Sequence, residues 1–512
     1  MNVEDQVKKI FSNKKSCMKI NLNIKYILGI VPLLVVSCTS LDEEPVSNQV
    51  TTQFYTDQSE AISAVNGVYS ALLFGGDDQT LYNRGIQVAT EISTDDYIAG
   101  PRAINTNVRA LAALSHDAAN DRMEAIWEDS YKLINAANIV IDKVPLIASD
   151  KISESIRQRS INEAKFLRAL AYFNLVRWFK YIPLVLHETT SLSEDKLYVE
   201  QADEDDVYAQ IIQDLKDAEN LPEPTAYANE DVGRATSGAA KSLLAKVYLT
   251  REQWQLAASK AQEVINSGWY DLFENFSDVF NPQTENGKEH IFSLQHKGYT
   301  SGSRHLLAGC EATYEVPGIN GSYADAYNTN SDLYASYAKN DRRLPVTLIT
   351  EQVSPLDNKT YKLSAPVFNK YYDNSVVGAQ IQSSVNFPVI RYAEVLLIYA
   401  EALNELNGPT EVAYEYLDKI RSRAGISKLA ESAPNLSKEA FRDSLFEERR
   451  KEFTYEYQRW FDLSRRGADY MIKKLKAAGK TNVASRHIHF PIPQRELDLN
   501  PKLKQNPDWE NY

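Results

Sequence analysis

Two stretches of this chain follow one plan, and that plan leaves room for little except a pair of packed helices. Residues 242–268 read SLLAKVYLTREQWQLAASKAQEVINSG, and residues 395–425 read VLLIYAEALNELNGPTEVAYEYLDKIRSRAG. In each, apolar residues recur at helical spacing, break off, and resume. A small residue stands at the same offset in both halves: Ala245 with Ala258, and Ala400 with Ala413. Alanines facing each other let antiparallel helices approach closely, as in tetratricopeptide repeats. Each unit closes on a glycine, Gly268 or Gly425, where a helix C-cap is expected. Coiled-coil packing is the competing reading of the same spacing.

The same periodicity predicts helices over 57–73, 122–144, 154–179, 203–220, 236–249 and 253–266. Pro145 stops the second of these. Further helices are predicted over 390–406 and 409–424, with one long helix over 436–466. Between 269 and 389 helical periodicity fades, and Gly, Pro, Asn, Ser and Tyr become common. Loops, short strands and short helices are expected there, and binding residues usually sit on loops carried by a rigid scaffold. The fold class is therefore mainly α: a tetratricopeptide-like helix-pair scaffold with a variable loop-rich insertion.

The N-terminal region reads as an address. Lys19 and Lys25 precede an apolar run over 26–36, then Ser37, then Cys38. Charge, apolar run and small residue, in that order, mark a secretory signal. The run is shorter than the ~20 residues a bilayer-spanning helix needs. A cysteine directly behind the small residue resembles the lipobox of bacterial lipoproteins, in which Cys38 would become the acylated N-terminus. Residues 1–17 are polar and add nothing to an export signal, whereas Met18 opens a complete one, so Met18 is a possible true start. The acidic stretch TSLDEE after Cys38 resembles the surface-export signal of Bacteroidetes lipoproteins.

Residues 1–37 carry six lysines and two acids, so their removal takes the net charge from −13 to −17. That balance argues against nucleic acid, whose binding relies on neutralising phosphates. It argues more weakly against polyanionic ligands, because a local basic patch can override the mean. Three cysteines, Cys17, Cys38 and Cys310, leave no disulfide framework once Cys38 is acylated.

Seven segments, in order, resemble the SusD/RagB family of outer-membrane nutrient-binding lipoproteins. They are ATEISTDDY (89–97), WEDSYKLINAANIVIDKV (127–144), EAKFLRALAYFNLVRWFKYIPLV (163–185), RYAEVLLIYAEALNE (391–405), IRSRAGI (420–426), ERRKEFTYEYQRWFDLSRRG (448–467) and HFPIPQRELDLNPKLKQNPDW (489–509). The resemblance implies a helical fold on tetratricopeptide-like pairs, a surface ligand site and no catalysis. It implies a SusC-like TonB-dependent barrel as partner, an outward-facing lipid anchor in the outer membrane, and a glycan, or in some members a peptide, as ligand. Its parts would be a signal peptide (1–37), a lipid-anchored tether (38–56), an N-terminal helical part (57–269), a variable ligand-site region (270–389) and a C-terminal helical part (390–512).

Sugar binding needs flat aromatic faces with a few aimed polar groups. Of six tryptophans, Trp127, Trp178, Trp460 and Trp509 fall in the framework segments, and Trp254 and Trp269 in or at the end of a repeat-like helix. The loop after Asp96 has Tyr97 and then no aromatic through Met123. Tyrosines in loop-like sequence are better candidates: Tyr82, Tyr97, Tyr299, Tyr314 and Tyr323, with Tyr327 beside them. Asn83, Arg84, Arg102, Asn105 and Asn107 could supply hydrogen bonds. Asp95 and Asp96 read as caps of a turn or helix. Glu447 and Lys451 read as i,i+4 partners, and Arg449, Arg450 and Arg459 as partners for acids on neighbouring helices.

Enzymatic readings lack a motif. Neither HExxH nor GxSxG occurs. A glycosidase needs two carboxylates ~5–10 Å apart, and with 69 acids nothing singles out a pair. His487 and His489 would share one face of a strand, which gives a weak metal reading. His305 near Cys310 gives a weak thiol reading. No cofactor is expected. The reading is a non-catalytic glycan-capturing lipoprotein, with a peptide-binding member, a scaffold of the transporter complex and a surface glycosidase as alternatives.

Cys38→Ala should block acylation and leave the protein uncleaved or mislocalised. Metabolic lipid labelling and surface proteolysis measure this, and normal processing of the variant would remove the lipoprotein reading.

Overall fold

The computed structural model describes residues 54–73, 81–191, 193–296, 313–319, 326–373 and 383–512. Residues 1–53, with Cys38, lie outside the described residues, as do Tyr299, Tyr323, His305 and Cys310. Residues 55–512 fold as one unit, and no described helix is long and apolar enough to cross a membrane.

Helix α1 (Gln58–Ala71) starts at Asp57, whose carboxylate accepts the Glu60 amide at 3.0 Å. Helix α2 (Thr106–Ala113) is short, and α3 (Asp121–Lys143) and α4 (Glu154–Phe179) are long. The C-terminal half of α4, FLRALAYFNLVRWF, is buried on nearly every face. A helix without a polar side has to be central, and α4 packs against α1, α3 and α5 (Glu204–Ala218). Helices α6 (Ser237–Thr250) and α7 (Trp254–Asn266) form the first repeat-like pair, and α8 (Tyr392–Asn407) and α9 (Glu411–Arg423) the second. Ala245, Ala258, Ala400 and Ala413 are all buried, and the helices of each pair pack on each other. Helix α7 also packs on α8, so the two pairs stack. Gly268 and Gly425 take φ of +68° and +74°, the left-handed region that a glycine cap enters without penalty.

Two small two-stranded sheets precede the second pair in the chain. Strands β1 (His290–Leu294) and β4 (Phe387–Arg391) pair antiparallel, from His290 opposite Arg391 to Leu294 opposite Phe387. Strands β2 (Leu348–Val353) and β3 (Thr360–Phe368) form a hairpin.

The long helix predicted over 436–466 is two. Helix α10 (Lys438–Glu452) ends, a turn follows, and α11 (Arg459–Ser464) begins. Nothing local breaks it: the turn contains neither glycine nor proline. Tyr455 and Tyr457 instead sit at φ of +64° and +62°, which costs about 1–2 kcal/mol per non-glycine residue. The cost is offset tertiarily. The Tyr457 amide donates to the Glu91 carboxylate at 2.7 Å, and its ring stacks 4.6 Å from Phe387. The Tyr455 ring stacks 5.5 Å from Phe368.

Two smaller expectations are corrected. Glu447 pairs with Lys474 of α12 (Ala468–Ala477) at 2.5 Å and with Arg450 at 3.3 Å; no pair with Lys451 forms. His487 lies on a 3₁₀ turn (Ser485–Ile488), not a strand, and packs edge-on against Trp509 at 5.3 Å.

Trp127, Trp178, Trp460 and Trp509 are all buried, as framework residues should be. Trp460→Ala should lower stability by about 3–5 kcal/mol, the usual cost of deleting a large buried ring. Chemical denaturation against Tyr314→Ala, expected to change stability by less than about 0.5 kcal/mol, separates core from surface; equal losses would contradict this assignment.

Candidate functional site

The candidate site is built out from a turn held by buried ion pairs. Asp95 and Asp96 are both 3 % exposed, and carboxylates so buried need cations. Asp95 accepts two bonds from Arg459, at 2.9 and 2.5 Å. Asp96 accepts two from Arg450, at 3.0 and 2.5 Å. They are therefore ion-pair partners rather than the caps that sequence suggested, and Arg450 and Arg459 pair with neighbouring acids as expected. Asn328 locks the backbone by donating to the Asp95 carbonyl at 2.8 Å, and Ser331 Oγ donates to Asp96 at 2.6 Å.

Electrostatics agrees with the geometry. Burial alone would raise the Asp95 carboxyl, but Arg459 and Arg450 outweigh it and hold it well below the usual range. The same balance of burial against facing cations depresses Glu394, Glu452 and Asp462.

Tyr97 and Tyr82 belong to the core, which corrects their reading as surface residues. The Tyr97 ring lies flat on Phe368, 4.1 Å between centroids, with Tyr455 at 5.3 Å. Its backbone bridges to Tyr327. Tyr82 is 5 % exposed, and its hydroxyl accepts a bond from Asn174 at 2.8 Å. Asn83 and Arg84 lie on the short turn Leu81–Gly85, and their side chains fall outside the described structure. Asn105 caps α2, accepting the Val108 amide at 3.0 Å, and the Asn107 carbonyl accepts a bond from Asn120.

Beyond Tyr97 the chain surfaces. Arg102 is exposed, and its guanidinium lies 3.2 Å above the ring of half-buried Tyr314. Nearby in sequence, Ile104 is 85 % exposed. The segment carrying Tyr314 is pinned to the β2–β3 hairpin. Ser354 donates to the Pro317 carbonyl at 2.8 Å, and the Ser364 amide donates to Glu315 at 2.8 Å. Val316 and Ile319 form a small apolar cluster with half-buried Tyr361, Leu363 and Tyr372. Arg102 and Tyr314 thus sit at the surface of a segment held from the hairpin side, while Tyr361, whose hydroxyl donates to Asp357 at 2.9 Å, and Tyr372, whose hydroxyl is buried, pack beneath it. Tyr361 and Tyr372 escaped the sequence reading; the alternation along TYKLSAPVF was the signal that could have found Tyr361.

Two clefts lie elsewhere. One of about 860 Å³ is lined by Tyr392, Glu411, Tyr414 and Asp418. Two of its polar groups are spent internally: the Tyr414 hydroxyl on Ala433 and Leu436, and Asp418 on the amides of Leu429 and Ala430. Another of about 680 Å³ is lined by Trp127, Tyr131, Tyr198 and Leu499, with the Tyr131 hydroxyl spent on Pro183. No sequence-predicted site residue lines either. No group of His, Cys, Asp and Glu among the described residues could hold a metal ion.

The architecture is a mainly helical body of stacked helix pairs with an aromatic and polar surface on its irregular insertions. The chain belongs to the SusD family. A profile described as the SusD family matches residues 323–509, and one described as starch-binding associating with outer membrane matches 41–249. The chain is 28 % identical to SusD-like protein P25 of Formosa agariphila, over 96 % of this chain and 98 % of that one. It is 24 % identical to the starch-binding protein SusD of Bacteroides thetaiotaomicron, over 78 % and 81 %. A laminarin-binding SusD-like protein of known structure superposes with a TM-score of 0.73 at 25 % identity, over 90 % of this chain and all of that one.

Acid should unfold this protein through the carboxylates named above. A depressed folded-state pKa contributes stability that is complete above about pH 5 and declines as pH falls below about 4. Glu91 and Glu163, pushed up by burial, run the other way. Melting temperature should therefore fall from pH 5 to pH 3, and Asp95→Asn should be less acid-sensitive than the parent; a flat profile in the parent would contradict the ion-pair account.

Proposed function

We propose that this protein is a non-catalytic glycan-binding lipoprotein of the outer membrane. In this reading Cys38 carries the lipid anchor, the helical body faces outward, and a SusC-like TonB-dependent barrel imports what is captured. The observation that carries it is the surface around Tyr314: half-buried phenols and exposed polar groups on an insertion whose base is fixed by buried ion pairs. Phenols suit this role, since each offers an apolar face to a sugar ring and a polar edge to its hydroxyls. Relatives named for starch and laminarin support a glycan as the ligand class. The sequence partition stands as part of this proposal: leader, tether, two helical parts and the ligand-site region between them.

Tyr299 and Tyr323, which flank Tyr314 in sequence, and Arg102 and Asn105 remain proposed contacts, and half-buried Tyr361 joins them. Capture needs rigidity more than chemistry. A platform fixed before binding loses little freedom when the ligand arrives, which favours affinity.

Isothermal titration with laminarin and starch oligosaccharides tests this. Tyr314→Ala should weaken binding several-fold to about tenfold, matching ~0.5–1.5 kcal/mol for one stacked ring, with the fold intact by circular dichroism. Undiminished binding by a folded Tyr314→Ala, or cleavage of the oligosaccharide, would overturn the proposal.

A further inference from the structure

We propose that the glycan taken at this surface is anionic, with a carboxylate or sulfate group of the sugar seated on Arg102. The inference rests on the reading of the Tyr314 surface as a glycan site and adds its ligand class.

Arginines in this fold are mostly spent on carboxylates. Arg168 is taken by Asp214, Arg391 by Glu289, Glu452 and Glu456, Arg423 by Glu289 and Glu452, and Arg465 by Glu401 and Asp462. Arg102 is different. It is exposed, makes no hydrogen bond or ion pair among the described residues, and stacks on the Tyr314 ring. Arg109, on α2, is also exposed and donates to the Pro101 carbonyl at 3.2 Å, again with no carboxylate. Between them Asn105 spends its side-chain oxygen on the Val108 amide, so its amide nitrogen is left as a donor. The segment is thus rich in N–H donors and carries two arginines that pair with no carboxylate among the described residues.

Glu315 follows Tyr314 in sequence, but its two oxygens are occupied by the amide and hydroxyl of Ser364. It compensates the charge of Arg102 only at a distance.

The stacking decides between ligand classes. A guanidinium 3.2 Å above the ring covers one face of Tyr314. A neutral sugar seeking that face must displace the guanidinium and gains only ordinary hydrogen bonds from it. A sugar bearing an oxyanion can leave Arg102 in place and accept charge-assisted bonds from its fork, which matches carboxylate and sulfate geometry. The net charge, −17 once residues 1–37 with their six lysines and two acids are removed from a chain of −13, repels polyanions at long range, but a local basic patch acts within a Debye length of about 8–10 Å.

The test titrates the full mature chain with three probes of equal length: oligogalacturonate, a sulfated carrageenan oligosaccharide, and a neutral laminarin oligosaccharide. At least one anionic probe should bind about tenfold more tightly than the neutral one, and Arg102→Gln should cut that ratio to near unity. Uronate or sulfate ester as the source is read from which anionic probe binds. Tyr314→Ala should weaken whichever probes bind. Equal or tighter binding of the neutral probe, with Tyr314 still required, would overturn the anionic inference and leave the glycan reading standing. Binding indifferent to Tyr314, or no binding by any probe, would overturn the site itself and the inference with it.

Discussion

Two carboxylates buried near the start of the fold are neutralised by two arginines near its end, and the architecture depends on that closure. Asp95 and Asp96 meet Arg459 and Arg450 across separations of 364 and 354 residues. Removing one partner of such a pair leaves an uncompensated buried charge, which costs about 3–5 kcal/mol. That is a large fraction of the 5–15 kcal/mol by which a domain is ordinarily stable. The turn 91–97 is therefore fixed by chemistry that has nothing to do with its own loop-like sequence.

The C-terminal end of α10 extends the same principle into a hub. Glu452 receives Arg343, Arg391 and Arg423, and Glu456, in the following turn, receives Arg391 and Lys370. Glu289, which leads into β1, shares Arg391 and Arg423. The first strand, the junction of β4 with α8, the end of α9 and the segment after β3 are thus tied to one point. The stack of Tyr97, Phe368 and Tyr455 lies alongside and joins the turn to the hairpin. The hairpin in turn holds the segment bearing Tyr314. Rigidity at the surface is inherited from the charged interior.

Elements whose cause is local were legible in the sequence. Helix α4 was predicted as 154–179 and spans those residues, because its apolar periodicity and the Ser153 cap are both local. The alanines of the helix pairs and the two glycine caps were equally plain. What was not legible is tertiary. FTYEYQ between α10 and α11 contains no helix breaker; Glu91 and Phe387, distant in sequence, turn it. Tyr82 and Tyr97 sit in loop-like sequence, yet Asn174 and Phe368 take them into the core. Asp95 and Asp96 looked like caps because caps need only neighbours, whereas their arginines lie far along the chain. Of the site, Tyr314 and Arg102 were nameable from loop position, but their contact and the phenol of Tyr361 required the hairpin to be placed.

The closure also governs the order in which the molecule can come into being. A nascent chain that has passed Asp96 has made α1 and the turn but none of the cations that make the turn tolerable in a dry interior. Until α10 and α11 emerge, those carboxylates favour water over the core, and the N-terminal helices lack a finished surface to close against. A polypeptide truncated ahead of Arg450 would keep its two acids solvated and its aromatic stack incomplete, and proteases would meet it open. Helices made late in synthesis thus complete the burial of acids made early.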